Sequence, residues 1–340
     1  MSKTPASFGV IGDGGMGTLC ALLLAEGGAE VVLWSAFAEQ AAAINRDREN
    51  RKFLPGVALP PTVRATADAA ELPADAAFLV SAVPTPFLRT VLGKIARHLP
   101  PGTPVVSVSK GIENDTLLRP SQILGQLLGP DRPLAVLSGP CIAFEVARRM
   151  PATVVVSGDD AQLNDAVLAA LSNPYFRVYH NADPLGVELG GALKNVIALA
   201  AGICDGLSLG VNAKAALLTR GLAEITRLGV AMGARRETFA GLAGVGDLFT
   251  TCVSEHGRNR TVGESIGRGQ SLDQIVAAMS GQVAEGVHTT RSAVALAARH
   301  QVDMPISAEI YRVLFDGKSP RQAIRDLMTR PSRSEGETLE

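Results

Sequence analysis

Phe8-Gly9-Val10-Ile11-Gly12-Asp13-Gly14-Gly15-Met16-Gly17-Thr18-Leu19-Cys20-Ala21-Leu22-Leu23-Leu24 is the stretch that decides the fold. Its first four residues read as a buried strand, the glycine-rich six as a tight turn, and the apolar run from Thr18 as a helix. GxGxxG has chemical meaning in that order of strand, turn and helix. Gly12 turns the chain, Gly14 lets a pyrophosphate approach the backbone, and Gly17 lets helix and strand pack closely. The helix start then offers oriented N–H groups to an anion. Gly15 and Met16 complete the turn. Asp13 puts a carboxylate inside it, unhelpful beside a pyrophosphate, and the sequence leaves open whether it turns away into solvent.

Working outward, short apolar β-rich runs recur at 31–34, 78–80, 105–108, 134–137, 153–156 and 176–179, most of them separated by helix-length segments. Near-continuous apolar strands alternating with helices imply a parallel sheet covered on both faces. After Asn181-Ala182-Asp183-Pro184 the pattern changes, with helical runs at 213–228, 271–279, 289–300 and 305–314 and no convincing strand. The expected fold is α/β: a Rossmann-like dinucleotide-binding domain over 1–183, an all-helical substrate domain over 184–331, and a polar tail over 332–340.

The 340 residues suit two domains. Lys+Arg 32 against Asp+Glu 33 gives a net charge of -1, which does not suggest a nucleic-acid or acidic-membrane partner. Cys20, Cys141, Cys204 and Cys252 form no CxxC pair, and the 5 histidines are scattered, so no metal is expected. The cysteines read as reduced thiols of a cytoplasmic protein. Met1-Ser2-Lys3-Thr4-Pro5 leads into the first strand without the apolar core of a signal peptide. Lys194 and Asn195 interrupt the best membrane-length run, so no membrane insertion is expected.

The end of the second strand reports cofactor choice. Ser35-Ala36-Phe37-Ala38 brings no acid to hold a ribose 2′-hydroxyl. Arg46, Arg48 and Arg51 lie further on and offer charge to a 2′-phosphate, or form a solvated helix face. The balance tilts to NADP, with NAD open.

Lys194 lies in the apolar run Leu189-Gly190-Gly191-Ala192-Leu193-Lys194-Asn195-Val196-Ile197-Ala198-Leu199. A buried ammonium is costly unless it is paired or its pKa falls. A lysine so placed is a candidate proton donor; the alternative is a side chain that snorkels to water. Three further segments join small residues to charge or amide groups. Lys110 follows a strand, where ligands of parallel sheets bind. Ser138-Gly139-Pro140-Cys141 follows the next strand, and Gly139 permits close backbone approach. Gly246-Asp247-Leu248, then Gly257-Arg258-Asn259-Arg260, sets guanidinium and amide groups beside a helix start, which suits a phosphate.

Together these segments resemble the NAD(P)-dependent glycerol-3-phosphate dehydrogenases. The likeness rests on Gly12–Gly17, Lys110-Gly111-Ile112-Glu113, Ser138-Gly139-Pro140, Leu193-Lys194-Asn195, Thr219-Arg220-Gly221, Gly246-Asp247-Leu248 and Arg258-Asn259-Arg260, and it covers nearly the whole chain. It implies reversible hydride transfer between NAD(P)H and dihydroxyacetone phosphate, which yields sn-glycerol 3-phosphate for glycerophospholipid synthesis. It implies Lys194 as general acid/base. Lys110, Asp247, Arg258 and Asn259 match substrate-contacting positions, with Gly139, Cys141 and Gly257 beside them. Gly15, Met16, Lys110, Ala143, Arg258, Val283 and Glu285 match cofactor-contacting positions, with Ala36 at the strand end. The chain departs from the family pattern at Asp13, Met16, Cys141, Val211 and Gly257. A homodimer is compatible with the likeness.

Two rival readings keep the architecture. A hydroxyacid or branched keto-acid dehydrogenase would clamp a carboxylate instead of a phosphate. A sensor of the cofactor's redox state would bind without turnover and need neither Lys194 nor Asp247.

Overall fold

The computed structural model describes residues 6–279, 283–331 and 334. Met1–Pro5 and, apart from Ser334, the polar tail lie outside the described residues. The chain forms two compact units, Met1–Ser109 with Pro120–Pro184, and Lys110–Arg119 with Leu185–Glu340.

The first unit is built on one sheet of β1 (Ser7–Ile11), β2 (Glu30–Trp34), β3 (Val63–Thr66), β4 (Leu79–Ser81), β5 (Val105–Ser107), β6 (Leu134–Ser138), β7 (Ala152–Gly158) and β8 (Phe176–His180). Their order is β3-β2-β1-β4-β5-β6-β7-β8. The chain runs outward from β1 to β2 and β3, then returns to β4 on the other side. The carboxyl ends of β1 and β4 therefore flank the switch point where open α/β sheets bind ligands. Val10, Leu33, Phe78, Val80 and Val106 fill the core with the inner faces of the helices. The helices are α1 (Gly15–Glu26), α2 (Ala38–Asp47), α3 (Thr85–Ile95), α4 (Pro120–Leu128), α5 (Ala143–Ala147) and α6 (Ala161–Leu171).

Two features of the sheet depart from the sequence reading. β3 has no apolar run to announce it, because it is an edge strand whose Arg64 is exposed and paired with Glu71. β7 runs antiparallel to β6, whereas every other pair is parallel. Only the five-residue α5 lies between β6 and β7. A parallel crossover needs a connection that travels the length of a strand, and so short a helix does not.

Among its described residues the second unit is helical: α7 (Pro184–Gly206, whose first residue belongs to the other unit), α8 (Gly210–Ala231), α9 (Arg236–Ala240), α10 (Asp247–Val253), α11 (Arg258–Gly267), α12 (Leu272–Ala278), α13 (Glu285–Arg299), α14 (Pro305–Phe315) and α15 (Pro320–Met328). α7 is apolar and long enough to cross a membrane, yet its best 18-residue window is fully buried. It is the core helix of this unit. Glycines let α11 lie against it: a Cβ on Gly202 would stand 1.9 Å from the Arg260 carbonyl oxygen, and one on Gly263 would stand 2.0 Å from that of Leu199. This close approach fixes the two helices that carry Lys194 and Arg258.

The segment Lys110–Arg119, expected in the first domain, belongs with the helices. Ile112 is 2% exposed in the helical core. The Ser292 hydroxyl lies 3.0 Å from the Ile112 carbonyl oxygen, and Arg119 pairs with buried Glu188. These contacts outweigh chain continuity with β5.

Glu224 of α8 shows how the helices lock together. Its carboxylate accepts from the Ile306 N–H at 2.6 Å, and from the Ser307 N–H and hydroxyl at 3.1 Å each. It thus satisfies donors at the start of α14. Burial pushes this carboxyl up to about 7, against the hydrogen bonds that pull it down. The fold keeps a proton that the unfolded chain releases near 4.5, so stability falls as pH rises from 4.5 to about 7 and is level above. Glu224→Gln is expected to lose that decline, gaining in Tm relative to wild type between about pH 5 and about pH 8. A constant difference between the two proteins over that range would mean that Glu224 is ionised in the fold throughout.

Candidate active site

In the first unit Gly12 has φ +109, left-handed backbone that glycine adopts without strain. A Cβ on Gly17 would stand 1.9 Å from the Gly12 carbonyl oxygen, so helix and turn meet only because that position is bare. A Cβ on Gly14 would meet nothing within 4 Å. Its glycine keeps space open at the start of α1, where no acidic residue occupies the first turn. A Cβ on Gly15 would lie 3.0 Å from the Phe53 carbonyl oxygen and 3.8 Å from the Ala143 Cβ, which places Ala143 beside the turn. Met16 packs partly buried against the core. These features fit a pyrophosphate cradle.

Asp13 does not point into solvent; it is 8% exposed, and its Oδ2 has no hydrogen-bond partner. Burial pushes its carboxyl up, against the Ser35 hydroxyl and the nearby Lys52, which pull it down. The three arginines suggested for a 2′-phosphate have other partners. Arg46 and Arg51 pair with Asp47, Arg51 also lies 3.5 Å from Glu49, and Arg48 donates to the Leu59 and Pro60 carbonyls. Ala36 is exposed, and Lys52 Nζ stands 6.0 Å from the ring centroid of exposed Phe37.

Gly139 has φ +140, and a Cβ there would lie 2.9 Å from the Val154 Cα. Glycine is thus required at 139 by the close approach to β7 of the same sheet. Cys141, partly buried, donates its thiol to the Gly139 carbonyl at 3.3 Å.

The second unit gathers the ionisable groups. Lys194, on the fourth turn of α7, has a side chain 8% exposed. Its ammonium donates to Asp247 Oδ1 and to the Thr251 hydroxyl. Lys110 Nζ donates to the other carboxylate oxygen, Oδ2, at 2.6 Å. Asp247, with a side chain 2% exposed, therefore stands between two ammoniums. Burial alone would push its carboxyl up, but the charges of Lys110 and Lys194 outweigh burial and hold it below the ordinary range. The carboxylate offsets the cost of burying the lysines and separates two cations that would otherwise repel. One carboxylate and two ammoniums leave a net charge of about +1, suited to an oxyanion.

Sequence reasoning missed Thr251 as a partner. Asp247 and Thr251 are four residues apart on α10 and share a face, a spacing that would have signalled it. It also missed Asn195, whose Oδ1 accepts from Asn259 Nδ2 at 2.9 Å. Asn259 Oδ1 in turn accepts from the Gly286 N–H at 3.0 Å. Asn259 is 8% exposed, and this chain ties the starts of α11 and α13 to α7 beside Lys194. Glu285 is the first residue of α13, and Val283, two residues earlier, is partly buried.

Arg260 is taken up by Asp205, its Nε 2.7 Å from Oδ2, while Asp205 also pairs with Lys214 at 2.5 Å. Anchored residues 259 and 260 fix the rotation of α11. Arg258, its first residue, is exposed and has no ion pair among the described residues. Gly257 caps the helix, and a Cβ there would lie 2.9 Å from the Thr251 carbonyl oxygen. A larger residue at 257 would press on α10 at Thr251. The described residues contain no cluster of His, Cys, Asp and Glu that could hold a metal.

The residues expected to act together thus divide between the units. Gly12, Gly14, Gly15, Met16, Gly17, Ala36, Gly139, Cys141 and Ala143 lie in the first. Lys110, Lys194, Asp247, Gly257, Arg258, Asn259, Val283 and Glu285 lie in the second.

Comparison with known proteins matches both units. A family model described as NAD-dependent glycerol-3-phosphate dehydrogenase N-terminus matches residues 7–164, and its C-terminus counterpart matches 183–325. A glycerol-3-phosphate dehydrogenase (NAD(P)+) of Desulfitobacterium hafniense is 49% identical over 334 residues, covering 98% of this chain and 94% of its own. One of Streptomyces coelicolor is 48% identical over 337 residues, covering 98% and 99%. The crystal structure of glycerol-3-phosphate dehydrogenase from Coxiella burnetii superposes with a TM-score of 0.92 at 35% identity, covering 96% of this chain and 99% of that one.

Proposed function

The chain belongs to the NAD-dependent glycerol-3-phosphate dehydrogenase family, and on that premise we propose how its own residues carry the reaction. It is an NAD(P)-dependent oxidoreductase that interconverts dihydroxyacetone phosphate and sn-glycerol 3-phosphate. The observation that carries the assignment of roles is the buried Lys110–Asp247–Lys194 cluster, with its excess of positive charge.

Gly12–Gly17 and the start of α1 hold the pyrophosphate of the cofactor, which when bound supplies the hydride. Lys194 gives a proton from Nζ to the oxygen developing on C2 of the substrate, and takes it back in the reverse direction. Lys110 adds positive charge at the same oxygen, and Asp247 keeps both ammoniums in place. Arg258 holds the phosphate, so binding energy remote from the reacting carbon orients the carbonyl. NADP is placed ahead of NAD. Residues 35–38 after β2 bring no carboxylate to repel a 2′-phosphate, the first being Glu39 in α2, and Lys52 stands over Phe37 there. The product feeds glycerophospholipid synthesis. The four free thiols suit the cytoplasm. Phe249 and Val253, 59% and 47% exposed on α10, suit burial in a homodimer.

Arg258→Ala tests the phosphate assignment. A charge-assisted hydrogen bond is worth about 1.5–3 kcal/mol, so KM for dihydroxyacetone phosphate is expected to rise about 10- to 150-fold at saturating cofactor. Unphosphorylated dihydroxyacetone should be reduced as slowly as by wild type. Equal losses on both substrates would move Arg258 from the phosphate to the cofactor or the fold.

A further inference from the structure

The ten residues of Lys110–Arg119 carry one side chain assigned to the chemistry, at their first position, and contain no regular helix or strand. Yet they are held at both ends and in the middle by residues distant in sequence. At the start Lys110 reaches Asp247 of α10. In the middle the fully buried Ser292 hydroxyl of α13 lies 2.6 Å from Asn114 Oδ1 and 3.0 Å from the Ile112 carbonyl oxygen. At the end the Arg119 guanidinium pairs with Glu188 of α7, whose side chain is 3% exposed. Glu188 precedes Lys194 on the same helix, so the segment is braced on the elements that carry the other two charges. A lysine on a free loop would lose conformational entropy each time it met its target, whereas on a braced loop that cost is met in folding.

We propose that Ser292 and the Arg119–Glu188 pair are positioning residues for Lys110, setting its ammonium against Asp247 from a distance. The proposal rests on the reading of Lys110 as a cation that meets the substrate. Neither Ser292 nor Glu188 touches the reacting atoms; each acts through the backbone of the segment.

A double-mutant cycle tests this. Ser292→Ala and Glu188→Gln are made alone and together with Lys110→Ala, and kcat/KM for dihydroxyacetone phosphate is measured at saturating NADH. Each single variant is expected to lower kcat/KM about 5- to 30-fold, the weight of a buried hydrogen bond, and to lose most of that effect once Lys110 is alanine. A Ser292→Ala variant with unchanged kcat/KM, or one whose loss is the same in the Lys110→Ala background, overturns the proposal. If Lys110→Ala alone leaves kcat/KM unchanged, it is the reading of Lys110 that fails, whatever Ser292→Ala does. Should Glu188→Gln not fold, Ser292→Ala carries the cycle alone.

Discussion

Lys194→Ala is expected to lower turnover about 10²- to 10⁴-fold, and further where charge stabilisation is lost with the proton donor. Cofactor affinity should change little, because Lys194 is committed to Asp247 and Thr251 and is not among the positions assigned to the cofactor. Stability should also change little. Removing one ammonium leaves Asp247 paired with Lys110 alone, a balanced pair. Removing Asp247 instead would leave two buried ammoniums without their carboxylate, a loss of about 3–5 kcal/mol. Steady-state rates, NADH titration by fluorescence and thermal unfolding separate these effects. A Lys194→Ala enzyme that keeps more than about a tenth of wild-type turnover would remove Lys194 from the chemistry.

Gly14→Val is expected to cripple cofactor binding while sparing the fold. The added Cβ meets no protein atom within 4 Å, so the variant folds, and its side chain occupies the space through which a pyrophosphate approaches. Affinity for NADH should fall more than about tenfold, with Tm near wild type. The companion Gly17→Ala should lower Tm as well as cofactor affinity, since its Cβ would lie 1.9 Å from the Gly12 carbonyl oxygen and the helix must shift. Unchanged NADH affinity in Gly14→Val would give the turn another task.

The strands beginning at Phe8, Val31 and Val105 were legible because buried parallel strands are apolar on both faces. β3 was not, because an edge strand with Arg64 and Thr66 needs no apolar run. The direction of β7 depends on the length of α5, which single-residue patterns do not report. At the site, Lys194 announced itself by its apolar neighbours. What pairs with it did not, since Asp247 is 53 residues away along the chain. The removal of Lys110 to the helical unit depends on Ser292 and Glu188, at separations of 180 and 69 residues from their partners. The direction of Asp13 was open from its place in a turn; it is buried, with the Ser35 hydroxyl just after β2 bonded to its carboxyl. In each case local chemistry was visible and long-range pairing was not.

Rescue of Lys194→Ala by small amines tests the role of the lysine most directly. With dihydroxyacetone phosphate and NADH saturating, methylammonium should restore turnover in a saturable way, because it brings an N–H donor to the space the side chain left. Tetramethylammonium, with the same charge and no N–H, should restore none. If neither cation restores turnover while cofactor binding is intact, or if tetramethylammonium works as well as methylammonium, Lys194 supplies no proton and the assignment of general acid is contradicted.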